Sequence, residues 1–490
     1  MSDMGIIQFF QGHAFGILTF TIHEAASWII RIAALCVVPL RHEPSTATVW
    51  LLVIFFWPIP GAIIYLLMGS RMLPSKKLER RRTMLAHLKG IRDRIAREGP
   101  GIVHPKVSDA LDPIVRLAEG LGHMTIVGGN ECVPFTDAHV MLDMLAADIE
   151  EAVSEVNLLY YIFVKDEKTW GVVDALKRAA SRGVICRLLV DSVGSSAFLK
   201  RHAQEFRDAG IRLEEALPVQ LFRRKAARFD LRNHRKLAVI DRSIAYTGSH
   251  NITDPRYGHR NLVWHDISLR LRGPVVRQLE SVFLEDWYSE TGEMMDAEHL
   301  INEPIQPGGS VMQTVPSGPS YATENYQRLI VASIIGAREQ VTITTPYLIP
   351  DAGLLQAIEV ACLRGVRVRL IVPEKSDQFV VGHAARAYFG DLLRIGVELY
   401  LYQDGLLHAK TMSVDGELTF LGSSNFDIRS FALNFEINLI LYGRDENELL
   451  LDAQEEYRSR SRRLVLEEWQ ARPRWMPPVE SVTKLFSPLL

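Results

Sequence analysis

One short pattern, present twice, constrains this chain more than any other feature. The stretch Arg232 to Asn251, RNHRKLAVIDRSIAYTGSHN, carries His234, Lys236 and Asp241, then Gly248, Ser249 and Asn251. The same spacing returns in HAKTMSVDGELTFLGSSN as His408, Lys410 and Asp415, then Gly422, Ser423 and Asn425. A single His-x-Lys-x4-Asp string arises by chance. Two copies, each followed at the same distance by Gly-Ser-x-Asn, call for a duplicated folding unit.

The surrounding sequence repeats as well. Asn157 to Val164 is a buried-strand candidate, Asp174 to Arg182 a helix closed by Gly183, and Val184 to Val190 the next strand. In the second half Val341 to Ile349, Ala357 to Arg364, Gly365 and Val366 to Val372 follow in the same order. Strands alternating with helices predict an α/β fold: two duplicated domains with mixed β-sheets flanked by helices. A Pro, Gly and Ser-rich stretch, Asn302 to Ser320, reads as the linker between them.

The N-terminus is of a different kind. Val49 to Met68 has no charged residue and is long enough to cross the hydrocarbon core, which takes about 20 residues. Pro58 and Pro60 are better tolerated in a membrane span than in a soluble helix. An earlier apolar stretch, Gly16 to Leu40, is interrupted by His23, Glu24 and Arg31. A charge at the membrane centre costs about 2.5–3.5 kcal/mol on insertion scales, so Glu24 belongs near one end. The two segments, joined by RHEPSTAT, predict a transmembrane helical hairpin. No basic residue precedes Arg31, which argues against a cleaved signal peptide. From Arg71 to Arg97 ten Lys/Arg face only Glu79 and Asp93, an excess that marks the cytoplasmic side and suits anionic headgroups.

The domain expectation is therefore a membrane anchor over 1–70, a basic juxtamembrane segment over 71–120, a first domain over 121–300, a linker over 301–320 and a second domain over 321–490. The net charge of −3 argues against a surface built for nucleic acid. Cys36, Cys132, Cys186 and Cys362 lie far apart with no metal-ligand spacing, so they read as packed thiols in a reducing compartment. No glycine-rich nucleotide loop is present, and no metal or other cofactor is expected.

Each motif offers an imidazole, an ammonium, a hydroxyl and a carboxamide. His and Lys two apart on a strand project from one face, and such a set suits a phosphate, with nitrogen available for attack. If the halves pack symmetrically, His234 and His408 face one phosphate; one attacks phosphorus and the other protonates the leaving oxygen. Lys236 and Lys410 supply the charge. Ser249, Asn251, Ser423 and Asn425 are the phosphate-binding candidates. Asp266 and Glu436, downstream of the two motifs, are candidates for orienting the imidazoles. Asp241 and Asp415 complete the six-residue signature, but each sits at a turn, where a scaffold role competes with catalysis.

On these motifs, with YTGSHNITDPRY, TTPYLIPD, LNFE and the terminal FSPLL, the chain resembles the phospholipase D superfamily, and within it bacterial cardiolipin synthases. The resemblance covers nearly the whole chain. It implies transfer of a phosphatidyl group between two phosphatidylglycerol molecules through a phosphatidyl-histidine, with His234 the nucleophile by analogy. It also implies a bacterial inner-membrane protein with anionic lipids as partners. The competing expectations are a hydrolytic phospholipase D, a phosphatidylserine synthase, a membrane-tethered nuclease and a non-catalytic lipid-binding scaffold. Arg223, Arg224, Lys225, Arg228 and Arg232, ahead of the first motif, form a candidate path for anionic headgroups.

Overall fold

The structure is a computed structural model that describes residues 3–42, 44–69, 75–98, 101–122, 124–219, 231–258, 262–321 and 324–487. Arg71, Arg223, Arg224, Lys225, Arg228 and the last three residues of FSPLL lie outside the described residues. The chain forms two compact units, one built on residues 1–72 and one on nearly all the rest.

In the N-terminal unit, α1 runs over Asp3–Arg41, α2 over Pro44–Phe56 and α3 over Pro58–Met68. Among the described residues only Thr21–Arg41 is a helix long and apolar enough to cross a membrane. The second expected span, Val49 to Met68, is broken. Trp57 leaves helical geometry at φ −131° and ψ 78°, and Pro58 opens a new helix. α3 then folds back along α2. The Trp50 and Tyr65 rings meet edge to face at 5.4 Å, and a Cβ on Gly61 would stand 2.9 Å from the Ile54 Cα. Glycine permits that backbone approach. At 1.5 Å per residue, α2 and α3 reach only about 20 and 16 Å, short of the roughly 30 Å hydrocarbon core.

The second unit opens with α4 (Ser75–Glu98) and α5 (Asp112–Gly122). Its first repeat supplies β1 (Val127–Phe135), β2 (Glu155–Tyr160), β3 (Ile185–Asp191), β4 (Arg212–Ala216), β5 (Leu237–Ile240), β6 (Ile244–Gly248), β7 (Trp264–His265) and β8 (Ser268–Arg272). The second supplies β9 (Ser310–Ser317), β10 (Gln340–Thr344), β11 (Leu348–Ile349), β12 (Arg367–Pro373), β13 (Glu398–Tyr402), β14 (Leu406–Leu407), β15 (Thr411–Val414), β16 (Leu418–Gly422), β17 (Phe426–Asp427), β18 (Glu436–Tyr442) and β19 (Ser461–Leu464).

Among the described residues fifteen of these strands make one sheet, ordered β19-β13-β12-β10-β15-β16-β18-β9-β1-β8-β6-β5-β2-β3-β4. Read outward from the β9–β1 pair, the two halves repeat each other. Each has an antiparallel group beside β1 or β9 and a parallel trio beyond it. β2 and β3 of the first trio are almost wholly buried, as strands covered by helices on both faces are, whereas the edge strand β4, RLEEA, is half exposed. Gly183 and Gly365 follow the matching helices at φ +92° and +85°, a left-handed geometry that costs glycine nothing.

Two segments read as connections belong to the core. Ser310–Ser317, inside the expected linker, is a central strand between β18 and β1. Its polar residues hid it. Buried Gln313 donates to the Ala118 and Met124 carbonyls and accepts from the Tyr442 hydroxyl, and the Thr314 amide donates to Gln278. α5, inside the expected juxtamembrane segment, packs Ile114, Val115 and Ala118 against Leu329 and Ile330 of the second repeat.

Candidate active site

The two motifs do not lie on strands at their reactive ends. His234 and Lys236 immediately precede β5, and His408 and Lys410 precede β15, in extended segments whose backbone bonds run to the other repeat. The His234 amide donates to the Phe435 carbonyl, and the Phe435 amide to the Arg232 carbonyl, each at 2.9 Å. The His408 and Ala409 amides donate to the His265 carbonyl at 2.8 and 3.0 Å. Each motif is thus held in place by the opposite half of the chain.

The side chains cross in the same way. His234 Nδ1 lies 3.1 and 3.0 Å from the two carboxylate oxygens of Glu436 in the second repeat. His408 Nδ1 lies 2.6 Å from Asp266 in the first. A carboxylate only accepts, so Nδ1 carries the proton on both rings and Nε2 keeps its lone pair. Glu436 is itself fixed by the Ser423 hydroxyl at 2.5 Å, and both residues are fully buried. The acids and the histidines are all among the expected site residues; that they pair across repeats is not visible in their spacing.

Lys236 and Lys410 reach back to the carbonyls of His234 and His408. Burial pushes Lys236 down to about 7 and Lys410 to about 8, and each ammonium further depresses the other motif's histidine. Burial also pushes His408 down to about 4, with Asp266 opposing, and lowers His234 against the pull of Glu436. Burial disfavours ionisation of Asp266 and Glu436, but the histidines beside them outweigh it and hold both carboxyls below their usual range. Among the described residues no three His, Cys, Asp or Glu side chains gather as a metal-holding group. Positive charge at the site comes from the two lysines.

The remaining expected residues take other positions. Ser249 is buried, accepting from the Ile267 amide and donating to the Ile267 carbonyl. Asn251 accepts from the Ile162 amide at 3.0 Å, and Asn425 is buried beside Asp427. Asp241 and Asp415 are not brought to the histidines. They sit in the turns at the far ends of β5 and β15, at φ +47° and +52°. Asp241 accepts from the amides of Val153, Ser154 and Glu155, and Asp415 from those of Arg338, Glu339 and Gln340.

Several neighbours escaped the sequence reading. Tyr161 meets the His234 ring edge to face at 4.8 Å, and Trp264 leans on His408 at 4.6 Å. Both border residues already singled out, Tyr161 in the buried strand and Trp264 next to Asp266, and an aromatic in an apolar run has no distinguishing mark. Behind His234 lies a buried charge network. Asp286, on the helix Val275–Thr291, accepts from Asn233 and Arg235, and Arg81 of α4 bonds Glu285 and Asp286. The Arg81 guanidinium also lies 3.9 Å from the Phe435 ring centre. The basic run of α4 is therefore partly structural: Lys77, Arg80, Arg81, Arg92 and Arg94 all bond the body of the protein.

Comparison with known proteins adds a family. The description "Cardiolipin synthase, PLD-like domain" matches residues 145–287 and 330–459, and "Phospholipase_D-nuclease N-terminal" matches 28–70. Cardiolipin synthase A of Pectobacterium carotovorum is 39% identical over 92% of this chain and 94% of its own. The protein of that name from Pectobacterium atrosepticum is 38% identical over 96% of this chain and all of its own. Among solved structures, phosphatidylserine synthase of Haemophilus influenzae aligns with a TM-score of 0.58 at 14% identity, covering 78% of this chain and 98% of that one. That likeness concerns the fold.

Proposed function

Because the chain belongs to the cardiolipin synthase family of phospholipase D-like proteins, and is on that ground a phosphatidyltransferase, we propose that it moves a phosphatidyl group from one phosphatidylglycerol to a second, giving cardiolipin and glycerol. The observation that carries the reading is the crossed pair, His234 on Glu436 and His408 on Asp266. In the first step His234 Nε2 attacks phosphorus, the bond from phosphorus to the headgroup glycerol oxygen breaks, and His408, its Nε2 first protonated beside the bound anionic substrate, gives that oxygen the proton. In the second, His408 takes a proton from a hydroxyl of the incoming phosphatidylglycerol, whose oxygen displaces His234. Lys236 and Lys410, with the amides of Asn251 and Asn425, face the phosphate oxygens.

The enzyme's partners are phospholipids in a membrane. We place it in the bacterial inner membrane with its catalytic body on the cytoplasmic side, on the strength of the basic run after Met68 and the apolar Thr21–Arg41 helix. The working division keeps an anchor over 1–70 and phospholipase D-like domains over 121–300 and 321–490, with β9 and α5 counted in the body. Purified protein given phosphatidylglycerol alone is expected to release glycerol and a four-chain product, and to lose both with His234→Ala or His408→Ala. Phosphatidic acid without a four-chain product would make the enzyme a hydrolase. A phosphorylated histidine trapped at 408 would exchange the two histidine roles.

A further inference from the structure

A cavity outside the reactive centre lies in the catalytic unit, between α4, α5 and the helix Val275–Thr291. It measures roughly 620 Å³, within the range of about 300–1,000 Å³ typical of small-molecule sites. Its walls are apolar: Leu88, Ile91 and Ile95 of α4, with Met124, Val127 and Leu300 opposite. Gly120, on the α5 side of the lining, has open space where a Cβ would stand, and Ala86, on the α4 side, is exposed.

The polar groups are gathered, and some are unsatisfied. Arg92 donates one bond, to the neutral Ser281 hydroxyl at 3.2 Å, while its Nε is buried with no partner among the described residues. The Tyr321 and Ser320 hydroxyls that line the same cavity are likewise buried and unpartnered. Lys89 and Arg277 line it too, Arg277 donating to the Leu300 and Asn302 carbonyls. Two acids, Asp93 and Glu119, are on the lining and exposed. Unpaired donors in an apolar chamber are costly unless something occupies them.

We propose that this cavity binds an anionic phospholipid, one acyl chain lying among the α4 leucine and isoleucines and the phosphate on Arg92 and Tyr321. The shape takes a chain, the cation and hydroxyls take a phosphate oxygen, and α4 follows the apolar N-terminal unit directly in the chain. The site is separate from the histidines but not isolated from them. Arg92 and Tyr321 lie within electrostatic reach of Glu285, the partner of Arg81, whose other arm holds Asp286 under Asn233 and Arg235. The inference rests on the reading that the protein works on membrane phospholipid.

The test uses the full chain in phosphatidylcholine nanodiscs carrying a trace of phosphatidylglycerol with a diazirine at the end of one acyl chain. Label is expected in peptides spanning 85–96 and 274–281. The same diazirine on diacylglycerol, which has no phosphate, should label them about tenfold less, the loss expected for one charge-assisted contact. Arg92→Gln should lower the phosphatidylglycerol label by a similar factor. Gly120→Phe and, from the other wall, Ala86→Phe should exclude the chain. Label absent from both peptides, equal for the two lipids, or undiminished in both filled-cavity variants would overturn the proposal. Label in the N-terminal unit, which touches bulk lipid, reports that the probe reached the protein. Turnover of phosphatidylglycerol in the same discs separates a failure of this site from a failure of the catalytic reading.

Discussion

Lys236 is 1% exposed and, among the described residues, donates to one carbonyl, that of its own His234. Folding drives its amine from the ordinary 10.5 down to about 7, so the folded state prefers the neutral form. Stability from this group is fully present above about 10.5 and is lost as pH falls through about 7. At neutral pH the protonated amine therefore weakens the fold that it equips. Lys236→Met is expected to abolish turnover while raising stability by about 1–4 kcal/mol, as replacement of buried charge by apolar volume does. A lowered unfolding temperature in this variant would contradict that account. Because the reaction needs the charge, kcat/KM should fall as pH rises through about 7 to 8, where Lys236 and Lys410 lose their protons. Asp241 and Asp415 predict the reverse pattern. Each binds three successive backbone amides at the start of a neighbouring strand, and asparagine tolerates the same positive φ. Asp241→Asn and Asp415→Asn should each cost about 1–3 kcal/mol of stability, with kcat near wild type well below the unfolding temperature. A hundredfold loss of kcat in a fully stable variant would put these carboxylates in the chemistry.

Elements whose residues obey one period were legible in the sequence; those that compromise were not. β2, β3 and β12 are buried apolar runs, and Gly183 and Gly365 mark the ends of the helices before β3 and β12. β9 was missed because Gln313 and Thr314 sit in the core on side-chain bonds to residues far away in the chain. Asp266 and Glu436 could be named as candidates, but which histidine each serves depends on how the halves pack. The second apolar segment divides into two helices for a local reason: hydropathy counts residues, whereas Trp57 and Pro58 decide whether they form one rod. The difference has a measurable consequence. A full second span would put the 41–46 connector on the side opposite α4. If Thr21–Arg41 is the one crossing helix, with α3 folded back beside α2, the connector and α4 are expected on the same side. In a background without the native cysteines, Arg41→Cys should react with an impermeant maleimide in the same vesicle orientation as Lys89→Cys. Labelling in opposite orientations would restore the two-span hairpin.

At the scale of the whole molecule, duplication has produced one site instead of two. The repeats join through β1 and β9 into a continuous sheet. Across that join each half gives the other a carboxylate for its imidazole and a carbonyl for its motif backbone. Neither half holds a finished reactive group, since both acceptors at His234 Nδ1, the Glu436 carboxylate and the Ser423 carbonyl, come from the other half. Removing the acid is therefore expected to cost about 10²–10⁴-fold in kcat, and Glu436→Gln added to His234→Ala should cost nothing further, because the pair acts as a unit. The same geometry bears on how copies combine. If the crossing pairs form within one chain, a chain lacking His234 and a chain lacking His408 cannot repair each other. Co-reconstituted at equal amounts, the two variants should stay at background. If instead the second half of one chain completed the first half of another, random pairing would assemble intact sites beside damaged ones, and about a quarter of wild-type turnover would return. Recovery on that scale would mean that the crossing seen here within one chain is exchanged between chains in the membrane.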